Sequence, residues 1–244
     1  MSDPVLRLRR AQQRFRTAGE GTETRHVFSF GPHYDPGRVG HGPLMVVNEE
    51  SLLTGRGFDD HPHADAEIIT WMLSGSLVHS DSRGHSGIIV PGLAQRMSAG
   101  SGIVHAERND AFRTDPRRPA GPARFVQMWL RPDVPGVRPS YAQRELDLAE
   151  LAHGWRPVAS GREPDAAVSL GSAGSTLWVT VLPAGVRREL PTAPLAHLYL
   201  ARGEVEVEGV GRLAAGDSLE LTGEAALGVT GRAEAEVLLW TMQR

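Results

Sequence analysis

Two short pairs of potential metal ligands stand out in this chain: His61-Pro62-His63 and, farther on, His105-Ala106-Glu107. Side chains at i and i+2 of a strand project from the same face, so on strands each pair acts together. Two such strands could aim three imidazoles and one carboxylate into a single cavity. That donor set suits a first-row divalent ion and leaves coordination positions for water or substrate. Against it, His-X-His also arises by chance in loops, and Pro62 cannot donate to a sheet ladder, which demands an edge or bulged strand. The second pair, approached through Gly100-Ser-Gly102, argues for a site, although the residues alone leave open which imidazoles take part.

What the chain lacks narrows the chemistry further. It has no Cys, which excludes thiol nucleophiles, disulfides, Cys-ligated zinc and iron–sulfur clusters. It has no Lys either, since all 26 basic residues are Arg; Schiff-base chemistry and a P-loop lysine are excluded with it. A net charge of -3 gives no electrostatic reason to expect nucleic acid as a partner. Arg7, Arg9, Arg10, Arg14 and Arg16 form the one basic cluster. Because Leu6 and Leu8 alternate with Arg7 and Arg9, it reads as an edge strand with a solvated face. No apolar run approaches a membrane span and the start lacks the apolar core of a signal peptide, so a cytoplasmic location is the expectation.

The elements that must position the ligands are strands. With 28 Gly and 17 Pro spread among short apolar runs, the composition fits many strands and tight turns. Residues 67–73, 125–130, 177–182 and 236–241 are β-branched or aromatic runs bounded by turn residues. Tyr141 to His153, with Leu146, Leu148 and Leu151 among charged residues and Gly154 after them, reads as a helix. It divides two β-rich halves that repeat a pattern: the turns at Gly75 and Gly92 recur at Gly203 and Gly216. The expected organisation is a metal-binding domain over residues 1–131, a connector with a short helix over 132–156, and a second domain over 157–244. Carrying the repeat spacing onto the ligand pairs lands on Glu189 and Pro191, and on Val229 and Gly231, which cannot bind a metal ion in the same way.

Gly55, five residues, His61-Pro-His63, three residues and Glu67 match the first half of the cupin motif. Further runs resemble the pirin family: His26-Val-Phe-Ser-Phe30, Tyr34-Asp-Pro36, His79-Ser-Asp-Ser-Arg-Gly84, Pro91-Gly92, Gln95-Arg-Met-Ser-Ala-Gly100 and Gly102-Ile-Val-His-Ala-Glu107. They cover residues 26–107 densely, and Pro139-Ser-Tyr141 extends the match. Gln95 stands where the second motif of ordinary cupins carries a ligand His, and the later His-X-Glu replaces it. The resemblance implies an all-β bicupin of two jelly-roll barrels joined by a short helix. It also implies one divalent metal ion on His61, His63, His105 and Glu107, with iron expected and nickel, copper, manganese or cobalt as alternatives. Glu67 then supports the ligands from outside, and the second barrel is metal-free.

For bacterial members the implied activity is that of a quercetin 2,3-dioxygenase, with a small aromatic substrate and dioxygen as partners and Glu107 as the base. A Gln in place of Glu107 is then expected to keep much of the metal and lose basicity. The competing implication is a metal- or redox-dependent regulator that touches a transcription factor or a metabolic enzyme. An apolar, ligand-sized cavity reaching the metal favours the enzyme, and a basic surface at the pocket mouth favours the binder. Of the remaining residues, His79 and Asp81 read as solvated hairpin groups and His197 as a core or surface residue and not a ligand. Phe125, Met128 and Trp129 read as core with one face on the pocket, and His33 and His41 as loop residues near the cavity.

Overall fold

Each apolar run forms a strand, and the turns between them fall at Gly and Pro. The computed structural model describes residues 4–243. The chain opens with β1 (Val5–Arg9), β2 (Phe15–Ala18), β3 (Thr22–His26), β4 (Leu44–Leu52) and β5 (Gly57–His63). It continues through β6 (Glu67–Ser74), β7 (Leu77–Asp81), β8 (Ser86–Ile89), β9 (Leu93–Ser98), β10 (Ile103–Arg108), β11 (Ala123–Leu130) and β12 (Ser140–Glu145). The second half holds β13 (Arg156–Ser160), β14 (Val168–Ser169), β15 (Ser175–Leu182), β16 (Arg187–Glu189) and β17 (Leu195–Arg202). It ends with β18 (Glu204–Val207), β19 (Gly211–Ala214), β20 (Ser218–Thr222), β21 (Gly228–Gly231) and β22 (Ala235–Met242). Among the described residues no helix is long and apolar enough to cross a membrane.

The fold is all-β, a pair of lobes with the same topology. In the first lobe a seven-stranded sheet, β12-β9-β6-β11-β4-β3-β2, faces a four-stranded sheet, β5-β10-β7-β8. In the second, β1-β20-β17-β22-β15-β13-β14 faces β16-β21-β18-β19. The repeated glycines hold equivalent turns with nearly equal positive φ, 75° at Gly75 and Gly203, 86° at Gly92 and 87° at Gly216. Addition of a Cβ at Gly203 would bring it 2.0 Å from the Glu234 carbonyl oxygen, so that turn tolerates no larger residue.

Two expectations are corrected here. The segment read as a helix begins as β12, which pairs along β9 from Ser140↔Ser98 to Glu145↔Leu93. Only Leu148–Ala152 coils, as a 3-10 turn capped by Asp147, whose Oδ1 accepts the Ala149 N–H at 2.9 Å. An open sheet edge at β9 decides for a strand over the local helical spacing. Strand β1, at the head of the chain, pairs with β20 and so extends the sheet of the second lobe, outside the span expected for it. Leu6 and Leu8 pack on the second-lobe interior while Arg9 meets Glu220 at 2.6 Å on the other face.

The two wide sheets pack against each other through Val47, Trp71, Val126 and Met128 from one lobe and Leu177, Val179, Leu238 and Trp240 from the other. Burial of this order contributes about 1.5–3 kcal/mol per large side chain. A polar knot lies in this layer. Glu49 accepts hydrogen bonds from Arg14 at 2.8 Å, Arg124 at 2.6 Å and the Tyr199 hydroxyl. Burial alone would raise the Glu49 pKa, but the bonds from Tyr199, Arg14 and Arg124 outweigh it and hold the carboxyl below its ordinary value of 4.5. Its stabilising contribution is therefore present above the unfolded value and is lost as pH falls through the lowered one. Glu49→Gln leaves two guanidinium groups short of their partner and is expected to cost about 3 kcal/mol at pH 7. In urea melts the gap from wild type should narrow as the pH falls through the lowered Glu49 value; a gap independent of pH would show that the charge does not stabilise the fold.

Candidate metal centre

The ligand pairs lie on neighbouring antiparallel strands. β5 is the edge of its sheet, so Pro62 leaves no ladder bond unmade. In register His105 faces His61 and Ile103 faces His63, while a bulge between His105 and Glu107 sets Glu107 opposite Phe58. The two strands approach so closely that a Cβ on Gly57 would lie 2.2 Å from the Glu107 carbonyl oxygen, which explains a glycine at the head of β5. The imidazole centroids of His61, His63 and His105 lie 4.4–5.0 Å apart. Ligand atoms of these three all fall within 4.8 Å of one another, and a second trio of His79, His105 and Glu107 meets the same limit.

Hydrogen bonding leaves these ligand atoms unclaimed. His61 Nδ1 lies 2.7 Å from the Asp59 carbonyl, which only accepts, so the proton is on Nδ1 and Nε2 carries the lone pair. His63 Nε2, His105 Nε2 and Glu107 Oε1 are buried with no protein partner. Orphaned buried polar atoms are rare, and three imidazoles meeting within 4.8 Å, with the free oxygen of Glu107 on the same strand as His105, fit a cation. Burial, with His61 nearby, depresses His63 to about 4, and burial with the neighbouring imidazoles depresses His105 to about 2. Both are therefore neutral at pH 7 and free to ligate. Burial also pushes the Glu107 carboxyl up to about 7, as befits an acid with no cation beside it.

Behind the ligands, the first-lobe interior carries a row of polar side chains where a barrel would ordinarily be apolar. In register across five strands run His26, Asn48, Gln127, Thr70 and Gln95, all at most 7% exposed. They part the interior into an apolar floor of Leu52, Met72, Leu77 and Phe125 and an upper cluster of Ile68, Met97 and Ile103. Gln127 joins the row to the ligands: its Nε2 donates to Glu107 Oε2 at 2.8 Å, and its Oε1 accepts from Trp129 Nε1 at 2.9 Å.

The same row in the second lobe reads Pro157, Trp178, Leu239, Leu198 and Leu219, by the register of β13, β15, β22, β17 and β20. Val207, paired with Val229, takes the place that His79, paired with Glu107, holds in the first lobe. Val229 thus stands for Glu107, where repeat spacing had it standing for His105. These positions in the second lobe offer no donor to a metal ion.

A cleft of about 410 Å³ opens onto the ligands. Its apolar walls are Phe30, Phe58 and Trp129, with Trp129 edge-on to Phe30 at 5.4 Å and to His63 at 4.7 Å. Its polar lining comprises Thr24, Asn48, Glu50, Gln127 and Glu107. Burial raises Glu50 to about 8, against the hydrogen bond it accepts from Thr24.

Several single-residue expectations change. Glu67 supports no ligand: β6 turns Ile68, Thr70 and Met72 inward, and Glu67 lies on the opposite face, where it abuts Gly171 of the second lobe. His79 and Asp81 are not solvated, since both side chains are 0% exposed. His41 bonds the Leu221 carbonyl and His33 stacks on Phe15, so the loop residue on the cleft is Phe30. His197 is fully buried with both ring nitrogens unpartnered, a core residue pushed down to about 3 by burial. Asn48, Glu50 and Gln127 join the cleft as well; the sequence marks the first two by three consecutive polar residues, Asn48-Glu49-Glu50, inside an apolar run, and the third by a lone amide within Phe125–Leu130.

Comparison with known proteins bears on the same residues. The Pirin family model matches residues 7–130, and that of the quercetinase C-terminal cupin domain matches residues 158–242. The chain belongs to the pirin family. A Mycobacterium tuberculosis relative bearing the name "Putative quercetin 2,3-dioxygenase" is 45% identical over 98% of this chain and 95% of its own. The Escherichia coli K12 protein named quercetin 2,3-dioxygenase is 29% identical, covering 98% of this pirin and 99% of the relative. The crystal structure of a bacterial pirin from Escherichia coli in complex with nickel(II) superposes with a TM-score of 0.87 at 28% identity, over 98% of this chain and 100% of that one. A single bound metal ion agrees with that nickel-containing neighbour and with the donor cluster of the first lobe.

Proposed function

We propose that this pirin is a metal-dependent dioxygenase that cleaves flavonols such as quercetin, with its metal on His61, His63, His105 and Glu107. The observation that carries the reading is the cleft: aromatic on its walls, of a size suited to a small ligand, and ending on the unclaimed ligand atoms. The same feature favours an enzyme over a regulatory binding protein, for which a basic mouth was the mark; the residues at this mouth include Asp59. Phe30, Phe58 and Trp129 would take the faces and edges of a planar polycyclic substrate. Asn48, Gln127 and Glu50 offer hydrogen bonds to its oxygens, and Glu107 Oε1 is placed to accept the proton of a hydroxyl brought against the imidazoles. A bound first-row ion supplies Lewis acidity at that oxygen and a redox partner for dioxygen. The reaction consumes one dioxygen, opens the ring and releases carbon monoxide.

The test is oxygen uptake and carbon monoxide release with quercetin, using protein loaded in turn with iron, nickel, copper, manganese and cobalt. At least one loaded form should turn over while the metal-free protein does not. If every form is inert toward quercetin and other flavonols, the regulator becomes the better reading.

A further inference from the structure

Among the described residues, one buried cluster beside the ligands is used by nothing so far. His79 and Asp81 stand on β7, and His85 follows the tight turn that leads into β8. Asp81 is fixed from three directions: its Oδ1 accepts the backbone N–H of Arg83 at 2.9 Å and of His85 at 3.1 Å, and His85 Nδ1 lies 3.0 Å from its Oδ2. His79 Nε2 lies 3.2 Å from the same Oδ2, and His79 Nδ1 lies 3.4 Å from Nδ1 of His105. The Tyr141 ring stacks on His79 at 4.7 Å and on His85 at 5.6 Å, which holds the imidazole planes.

The directions of these bonds follow from one fact: a carboxylate only accepts. His79 must therefore carry its proton on Nε2. The side chain is 0% exposed and has one carboxylate beside Nε2 and an imidazole nitrogen beside Nδ1, so a single proton on Nε2 satisfies both contacts and its Nδ1 is a bare acceptor. His105 must then donate from Nδ1, which leaves the lone pair on Nε2, a buried atom without a partner in a ring whose centroid lies 4.4 Å from that of His61 and 5.0 Å from that of His63. We propose that Asp81, acting through His79, sets the tautomer of His105 and thereby prepares it as a ligand. Asp81 and His79 are positioning residues, in a carboxylate–imidazole–imidazole chain one ring longer than the usual support of a metal-bound His. With the opposite tautomer, His105 would turn an N–H toward the other ligands. His79 does not serve as a ligand itself, because both of its nitrogens are engaged. The inference rests on His105 being a metal ligand, but its first test needs no metal.

That test is long-range ¹H–¹⁵N correlation on the metal-free protein, which reads each imidazole tautomer directly. Wild type should show His79 protonated at Nε2 and His105 at Nδ1; His105 protonated at Nε2 overturns the proposal. The isosteric Asp81→Asn supplies the second test. Its one amide oxygen is claimed by the Arg83 and His85 backbone N–H groups, so its NH₂ faces His79 Nε2 and reverses the chain. His105 should change to the Nε2–H form, and the Kd for Co(II) should rise by about 10- to 100-fold. His79→Gln should weaken Co(II) to a similar degree, and the double variant should be no weaker than His79→Gln alone, because the two residues act in series. An unchanged His105 tautomer and Co(II) affinity in Asp81→Asn overturns the proposal. So does complete loss of Co(II) from His79→Gln with His105 unchanged, since that would make His79 a ligand. Wild type with the expected tautomers and no affinity for Co(II) would leave the proton chain standing and remove the metal reading instead.

Discussion

Replacing His61 and His63 together by Ala is expected to take bound metal from about one equivalent per chain to less than about a tenth after dialysis, measured by elemental analysis. The two rings supply two of the four unclaimed ligand atoms, and what remains is His105 and Glu107. Two donors, one of them pushed toward its neutral form by burial, hold a first-row ion poorly at pH 7. The fold should survive the change: both residues sit on the edge strand β5 and are only half-buried. A melting temperature of the metal-free variant close to that of metal-free wild type would separate lost ligation from lost structure. Retention of a full equivalent of metal would transfer the site to the other trio, His79, His105 and Glu107. That would also break the hydrogen bonds that tie His79 to Asp81 and His105.

How much of this site could be read from the sequence follows from which facts are local. Strand parity is local: His61 with His63 and His105 with Glu107 share faces because each pair is two residues apart, and Pro62 on an edge strand follows from its missing N–H. Which face turns inward is not local. His79 and Asp81 alternate as any solvated hairpin pair does, and only the pairing of Glu107 with His79 shows that their face is the inner one. Glu67 went astray for the complementary reason. The family resemblance reads it as a support of the ligands, but parity within β6 sends it to the face shared with the second lobe, opposite to Thr70. The false helix after Pro139 has the same origin: Leu146, Leu148 and Leu151 carry a helical spacing, and the unpaired edge of β9 lies more than forty residues earlier in the chain.

The polar row is the least local feature, and it sets the first lobe, which carries the imidazole cluster, apart from the second. His26, Asn48, Gln127, Thr70 and Gln95 are scattered along the chain and become neighbours only through register. The second lobe keeps the turns, strand order and φ values while exchanging that row for Pro157, Trp178, Leu239, Leu198 and Leu219. Two lobes with one topology thus divide the work. The apolar row stabilises the second lobe through burial, and the polar row accommodates neutral imidazoles and a carboxylate that an apolar interior would leave without partners.

Glu107→Gln should weaken the metal as well as the reaction, a departure from what the residue types alone suggest. An amide keeps one oxygen, and from sequence that oxygen is free to stay at the metal. In the folded protein it is not. Trp129 Nε1 can only donate, so it fixes the Gln127 carbonyl toward itself and turns the Gln127 NH₂ toward residue 107. The single oxygen of the substituted amide is then drawn to Gln127, and its NH₂ takes the place of Glu107 Oε1, facing the imidazoles with no lone pair to offer. The Kd for Co(II) should rise by about 10- to 100-fold, the range expected when a metal ligand loses its support. Exchanging the two residues, Glu107→Gln with Gln127→Glu, relieves the conflict. A carboxylate at position 127 accepts from Trp129 with one oxygen and from the amide NH₂ at position 107 with the other, and the amide oxygen returns to the metal side. The exchange should recover most of the affinity. It should not recover turnover, because the carboxylate has moved away from the imidazoles. Oxygen uptake with quercetin, normalised to bound metal, should stay below wild type by about 10²- to 10⁴-fold, the usual worth of a general base. If the single variant binds Co(II) as tightly as wild type, Gln127 is not pinned by Trp129. If the exchanged protein turns over at the wild-type rate per metal, Glu107 is not the base.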